Sequence, residues 1–80
     1  MVQAESIKHS IETGMGCDLV RVVGDGEHFE AIIVSVAFAN QTRIQQHQLV
    51  YRALGERMKA EIHALSMKTY TPEQWAEASH

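Results

Sequence analysis

The segment Glu61-Ile62-His63-Ala64-Leu65-Ser66-Met67-Lys68-Thr69-Tyr70-Thr71-Pro72-Glu73-Gln74-Trp75 reads as a strand running straight into a capped helix, and this constrains the chain more than any other stretch. Leu65 and Met67 alternate as apolar residues do in a half-buried strand. Thr71 suits the N-cap, Pro72 the first helical position, and Gln74 completes a capping box three residues after the cap. A short helix carrying Trp75 follows. Such a strand needs a sheet, so the preceding residues must supply its neighbours. His63 shares the parity of Leu65 and Met67, so in an extended chain its imidazole points to the face on which helices pack.

The neighbours are found upstream. Ile7, Ile11 and Met15 recur at helical spacing, which predicts a short amphipathic helix from Ala4 to Thr13, stopped by Gly14 and Gly16. The β-branched run from Cys17 to Val23 predicts a strand, Gly24-Asp25-Gly26 a tight turn, and Phe29 to Val36 a second strand, with His28 at its threshold. Ala39-Asn40-Gln41 reads as a loop, and Thr42 with Gln45 forms another capping box that opens a helix. On that helix Ile44, His47, Tyr51, Leu54 and Met58 form the predicted buried stripe with Val50 beside it, while Arg43, Gln46, Arg52, Glu56 and Lys59 face mostly elsewhere. Gly55 is placed to kink or divide it. The order is αββα(α)βα, an α+β fold occupying residues 1–80 as one domain.

At 80 residues the chain can build one modest core but no deep enclosed cavity. The single Cys17 excludes an intramolecular disulfide and implies a reducing, cytoplasmic setting; no apolar run approaches the roughly 20 residues that span a bilayer. A formal net charge of −3 speaks against a broad electrostatic footprint on nucleic acid. With no phosphate-cradling glycine loop and no supported Ser-His-Asp or Cys-His pairing, an enzyme is not expected.

A helical connection joins parallel neighbouring strands, whereas the first two strands form an antiparallel hairpin. If the second and third strands pair, His28 and His63 lie near one end of the sheet, far apart in sequence but adjacent in space. Each has an ordinary reading too. His63 can be a hydrogen-bonded core residue, and His28 a solvated turn residue. His47 is expected to pack on its helix, Cys17 to act as a small buried hydrophobe, and His9 and His80 to be solvated.

The chain resembles the BolA-like family. The resemblance rests on Gly24-Asp25-Gly26-Glu27-His28-Phe29, Val34-Ser35 and Phe38, the helix segment Ile44 to Leu54, and most strongly Ile62-His63-Ala64-Leu65-Ser66 followed by Tyr70 to Trp75. It implies a class II KH-like fold, a three-stranded mixed sheet covered on one face by helices. It also implies a non-enzymatic adaptor that pairs with a monothiol glutaredoxin and shares a [2Fe–2S] cluster, in iron–sulfur assembly, transfer or iron sensing. The glutaredoxin and a glutathione supply thiolates, and the BolA-like partner supplies a histidine and a hairpin-loop residue, here His63 and His28. That is the histidine-loop subtype. Alone, the chain is expected to hold no cofactor and to be a monomer or weak dimer.

Two departures stand out. Gln46-His47-Gln48 replaces the Arg-His-Arg common in the family, and Asn40 occupies a usual glycine position. The alternative function is a nucleic-acid-binding transcriptional regulator using the helix around 42–58, with Arg43, Arg52, Arg57 and Lys59 as contacts. Against it stand the acidic charge and the lack of a Gly-x-x-Gly loop at the helix junction.

Overall fold

The computed structural model describes residues 2–78, so His80 lies outside the described residues. Helix α1 (Ala4–Gly14) is followed by strands β1 (Leu19–Gly24) and β2 (His28–Val34), and a 3-10 turn (Val36–Phe38). Helices α2 (Arg43–Leu54) and α3 (Arg57–Ala60), strand β3 (Ala64–Tyr70) and helix α4 (Pro72–Ala78) complete the chain. The sheet order is β1-β2-β3, with β1 antiparallel and β3 parallel to the central β2. This is the expected mixed α+β topology.

Alternation along the strands divides the sheet into two faces. On one, Val20, Phe29, Ala31 and Ile33 are buried together with Ile7 and Ile11 of α1 and Val50 and Leu54 of α2, with Leu65 and Met67 packed against them. Helix α1 packs on β1 and α2, and α2 on β3. Burying each large apolar side chain of this cluster contributes about 1.5–3 kcal/mol. The opposite face carries Arg21, Ile32 and Lys68 in one register row and Val23, Glu30 and Ser66 in the next. At its far end Trp75 of α4 lies 5.3 Å from the ring of Tyr70 and 6.0 Å from the guanidinium carbon of Arg21.

Local hydrogen-bond chemistry sets the helix starts. Thr42 Oγ1 accepts from the Gln45 N–H at 3.1 Å while Gln45 Oε1 accepts from the Thr42 N–H at 2.9 Å. The same reciprocal box joins Thr71 and Gln74, at 3.2 and 2.9 Å. Gly55, at φ 60°, ends α2, and Asn40 adopts φ 62° in the loop.

Three expectations require correction. β1 begins at Leu19 rather than Cys17, although the Asp18 N–H still donates to the Val34 carbonyl at 2.8 Å. β2 begins one residue earlier than predicted, at His28, and stops at Val34, because fully buried Ser35 turns the chain: its hydroxyl accepts from the Ala37 N–H and donates to the Gly16 carbonyl. The inward face of α2 is Gln46, Val50 and Leu54, whereas Ile44 and Tyr51 are 72% and 42% exposed. Gln46 faces inward because its amide has partners there: Nε2 donates to the Phe38 and Gln41 carbonyls at 3.1 and 3.3 Å, and Oε1 accepts from the Thr69 hydroxyl at 2.6 Å.

Candidate functional site

The hairpin tip fixes the start of β2. Asp25 Oδ1 accepts from the N–H groups of His28 and Glu27, at 2.9 and 3.0 Å, and the Asp25 N–H donates to the His28 carbonyl at 3.2 Å. These backbone donors, His28 first and then Glu27, hold the Asp25 carboxyl below its ordinary value, with a smaller contribution from the His28 imidazole. Gly26 takes φ 102°, and Gly24 leaves room that a Cβ would fill against the Phe29 ring and the His28 carbonyl. Four consecutive residues are thus shaped around the backbone of His28.

His28 is the first residue of β2, exposed, and alternates with buried Phe29, which puts it on the open face with Glu30. It pairs in parallel register with Ala64. His63, immediately before Ala64, therefore sits beside it along the chain at the same end of the sheet. The expected alternation does not extend to His63: it lies in a bend outside β3 and is exposed, while Leu65 and Met67 pack on the core. Buried Ile62, whose N–H donates to the Arg57 carbonyl at 2.9 Å, anchors the chain just before it. Neither imidazole enters a hydrogen bond among the described residues.

Cys17 lies at the opposite end of the sheet, before β1. Burial pushes its thiol up, and the Glu12 and Asp18 carboxylates add to the effect, so it is held as a thiol. A two-iron cluster takes four ligands. Among the described residues no group of three or more His, Cys, Asp or Glu side chains is placed to hold a metal ion.

The candidate cations do not form one set. Arg43, Arg52 and Lys59 are exposed. Arg57 is committed internally: Nη1 donates to the Ser6 carbonyl and Ser10 Oγ at 3.0 and 2.6 Å, and Nη2 to Ser6 Oγ and Glu61 Oε1 at 2.6 and 3.3 Å. Half-buried His47 lines a groove of about 450 Å³ with Arg43, Met67, Lys68, Thr69 and Tyr70. A second groove, about 280 Å³, runs over the open face between Arg21, Val23, Glu30, Ile32, Ser66 and Lys68. Sequence reasoning missed it, because its members come from three strands whose register was needed to unite them.

The family model for BolA-like proteins matches residues 1–74. The chain belongs to the BolA-like family. This BolA-like chain is 36% identical over 76 residues to "Acid stress protein IbaG" of Escherichia coli K12, covering 94% of this chain and 90% of that protein. It is 42% identical over 52 residues to "DNA-binding transcriptional regulator BolA" of Haemophilus influenzae, a match that spans 65% of this chain and half of that protein. A solved structure of a BolA homologue from Coxiella burnetii superposes with a TM-score of 0.87 at 48% identity, covering 95% of this chain and 99% of that one. No helix among the described residues is long and apolar enough to cross a membrane.

Proposed function

We propose that this BolA-like protein is a non-enzymatic adaptor that pairs with a monothiol glutaredoxin and shares a [2Fe–2S] cluster with it and a glutathione. His63 and His28 are its ligands, as in the histidine-loop subtype, and its work is iron–sulfur assembly, transfer or iron sensing in the cytoplasm. One observation carries this reading: the parallel pairing of His28 with Ala64, which sets two exposed imidazoles at one end of the sheet. The built hairpin tip and the anchored Ile62 hold both backbones in place, so the chain presents donors without ordering them anew. Imidazole in place of thiolate makes a cluster site less negative, raises its potential and renders ligation sensitive to protonation near neutral pH. Those properties suit a cluster that is passed on or sensed.

The test is anaerobic reconstitution with a monothiol glutaredoxin and glutathione, followed by visible circular dichroism of wild type, His63→Ala and His28→Ala. The reading expects a spectrum distinct from that of the glutaredoxin homodimer and altered by either substitution. An unaltered homodimer spectrum in all three samples rejects it.

The second reading, a nucleic-acid-binding regulator, is favoured by the name of the H. influenzae relative, a DNA-binding transcriptional regulator, and by exposed Arg43, Arg52 and Lys59 around α2 and α3. Arg57, tied to α1 and Glu61, contributes little to it. A salt-dependent oligonucleotide shift abolished by reversing Arg43 and Arg52 would favour this function.

A further inference from the structure

We infer that Asp25 is a positioning residue for His28: its carboxylate oxygen, by accepting two backbone N–H groups of the hairpin tip, fixes the backbone from which the His28 imidazole projects. What His28 binds rests on the cluster-sharing reading; how it is held rests on the geometry of the tip.

Gly24 and Phe29 are the last register pair of the hairpin, so residues 25–28 close its tip. Asp25 Oδ1 accepts from the His28 N–H at 2.9 Å and from the Glu27 N–H at 3.0 Å, and the Asp25 N–H donates to the His28 carbonyl at 3.2 Å. One residue thus holds His28 through both its N–H and its carbonyl. Asp25, Glu27 and His28 are all exposed, so water is at hand for both N–H groups and no buried donor obliges a carboxylate here. What the carboxylate adds is order. It leaves the first residue of β2 one backbone direction where a solvated tip has many.

That order acts on one histidine only. With no hydrogen bond to its ring among the described residues, the His28 imidazole takes its place from its backbone and its own rotamer. His63 is placed by other means, through buried Ile62, whose N–H donates to the Arg57 carbonyl at 2.9 Å, a hold that shares no residue with the tip. A ligand set works only when its support keeps it within about 0.5 Å of the productive geometry. Loss of such support typically costs about 10–100-fold in metal affinity. The charge of Asp25 is a separate matter, and Asp25→Asn isolates it, because an amide oxygen accepts the same two bonds without a charge.

The experiment compares wild type, Asp25→Ala and Asp25→Asn, the last verified by intact mass, with the amide spectrum of each reporting its fold. In the chain alone, amide exchange with water is followed by NMR. The Glu27 and His28 N–H groups should exchange several-fold faster in Asp25→Ala and near the wild-type rate in Asp25→Asn, while the Ile62 N–H is unmoved in both. In the complex reconstituted with a monothiol glutaredoxin and glutathione, loss of the visible circular dichroism signal to a chelator is timed. Asp25→Ala should lose the cluster about tenfold faster than wild type, and Asp25→Asn within about twofold of it. Asp25→Ala should add nothing in a His28→Ala background and keep its full effect in a His63→Ala background, the pattern of a residue acting through His28. Unchanged exchange in Asp25→Ala, an Asp25→Asn protein that behaves as Asp25→Ala does, or an equal acceleration in the His28→Ala background overturns the inference. A cluster altered by His28→Ala but indifferent to Asp25→Ala rejects the role of Asp25 and leaves the cluster reading standing. Silent His28→Ala and His63→Ala variants reject that reading, and the role of Asp25 with it.

Discussion

Replacing Gln46 by leucine removes the side chain that joins α2 to the 3-10 turn and to β3. Its three hydrogen bonds differ in setting: the one to the Phe38 carbonyl is buried, and those with Gln41 and Thr69 are partly buried. A typical bond of this kind contributes about 0.5–1.5 kcal/mol, and a buried group left without a partner costs about 1–3 kcal/mol. Leucine fills much of the volume and recovers some apolar transfer, so the expected net loss is about 2–3 kcal/mol. For a domain of this size that lowers the melting temperature by about 10–20 °C. The assay is thermal and urea unfolding of Gln46→Leu, Thr69→Val and the double variant. The cycle should return a coupling of about 1 kcal/mol between Gln46 and Thr69, because only that bond joins them. A Gln46→Leu protein melting within about 3 °C of wild type, where the loss would be under 1 kcal/mol, refutes the reasoning.

Gly24→Ala should cost about 1–3 kcal/mol, since its Cβ meets the buried Phe29 ring and the His28 carbonyl, while Gly16→Ala, with nothing nearby, stays within about 0.5 kcal/mol; equal unfolding midpoints for the two contradict this. Asp25 is held below its ordinary value of 3.8, so its contribution is fully present above that value and is lost as pH falls through the lower folded-state value. The stability gap between wild type and Asp25→Ala, followed by urea unfolding, should therefore shrink on acidification; a gap that widens rejects the assignment. Arg57→Ala should lose about 1–3 kcal/mol by releasing α1 from α3, and Arg57→Lys should not fully restore it, whereas Arg52→Ala stays within about 0.5 kcal/mol, all by chemical denaturation. Arg57→Ala and Arg52→Ala unfolding alike would dismiss that tie.

What could be read from the chain is what is decided within a few residues of itself. Thr42 with Gln45 and Thr71 with Gln74 close their boxes over three residues, Gly55 ends α2 by its own backbone, and Asn40, standing in the predicted loop, takes a left-handed φ of 62° that asparagine tolerates. The phase of α2 was not legible. Apolar Ile44 and Tyr51 are exposed and polar Gln46 is buried, because the partners that satisfy Gln46 lie up to 23 residues away at Thr69. Ser35 likewise ends β2 through the distant Gly16 carbonyl, which no local pattern announces. Of the candidate site, the shared sheet end followed from topology once β2 and β3 were taken as parallel neighbours. The exposure of His63 did not, since strand parity fails one residue outside the strand.

The most direct measurement of the central claim is pulsed EPR of the reduced, reconstituted complex, with this chain alone carrying ¹⁵N-labelled histidine. The account predicts a strong nitrogen hyperfine coupling that changes with the label, is reduced in His63→Ala and in His28→Ala, and disappears when both are replaced. A spectrum indifferent to the label would place every cluster ligand elsewhere and contradict ligation by this chain.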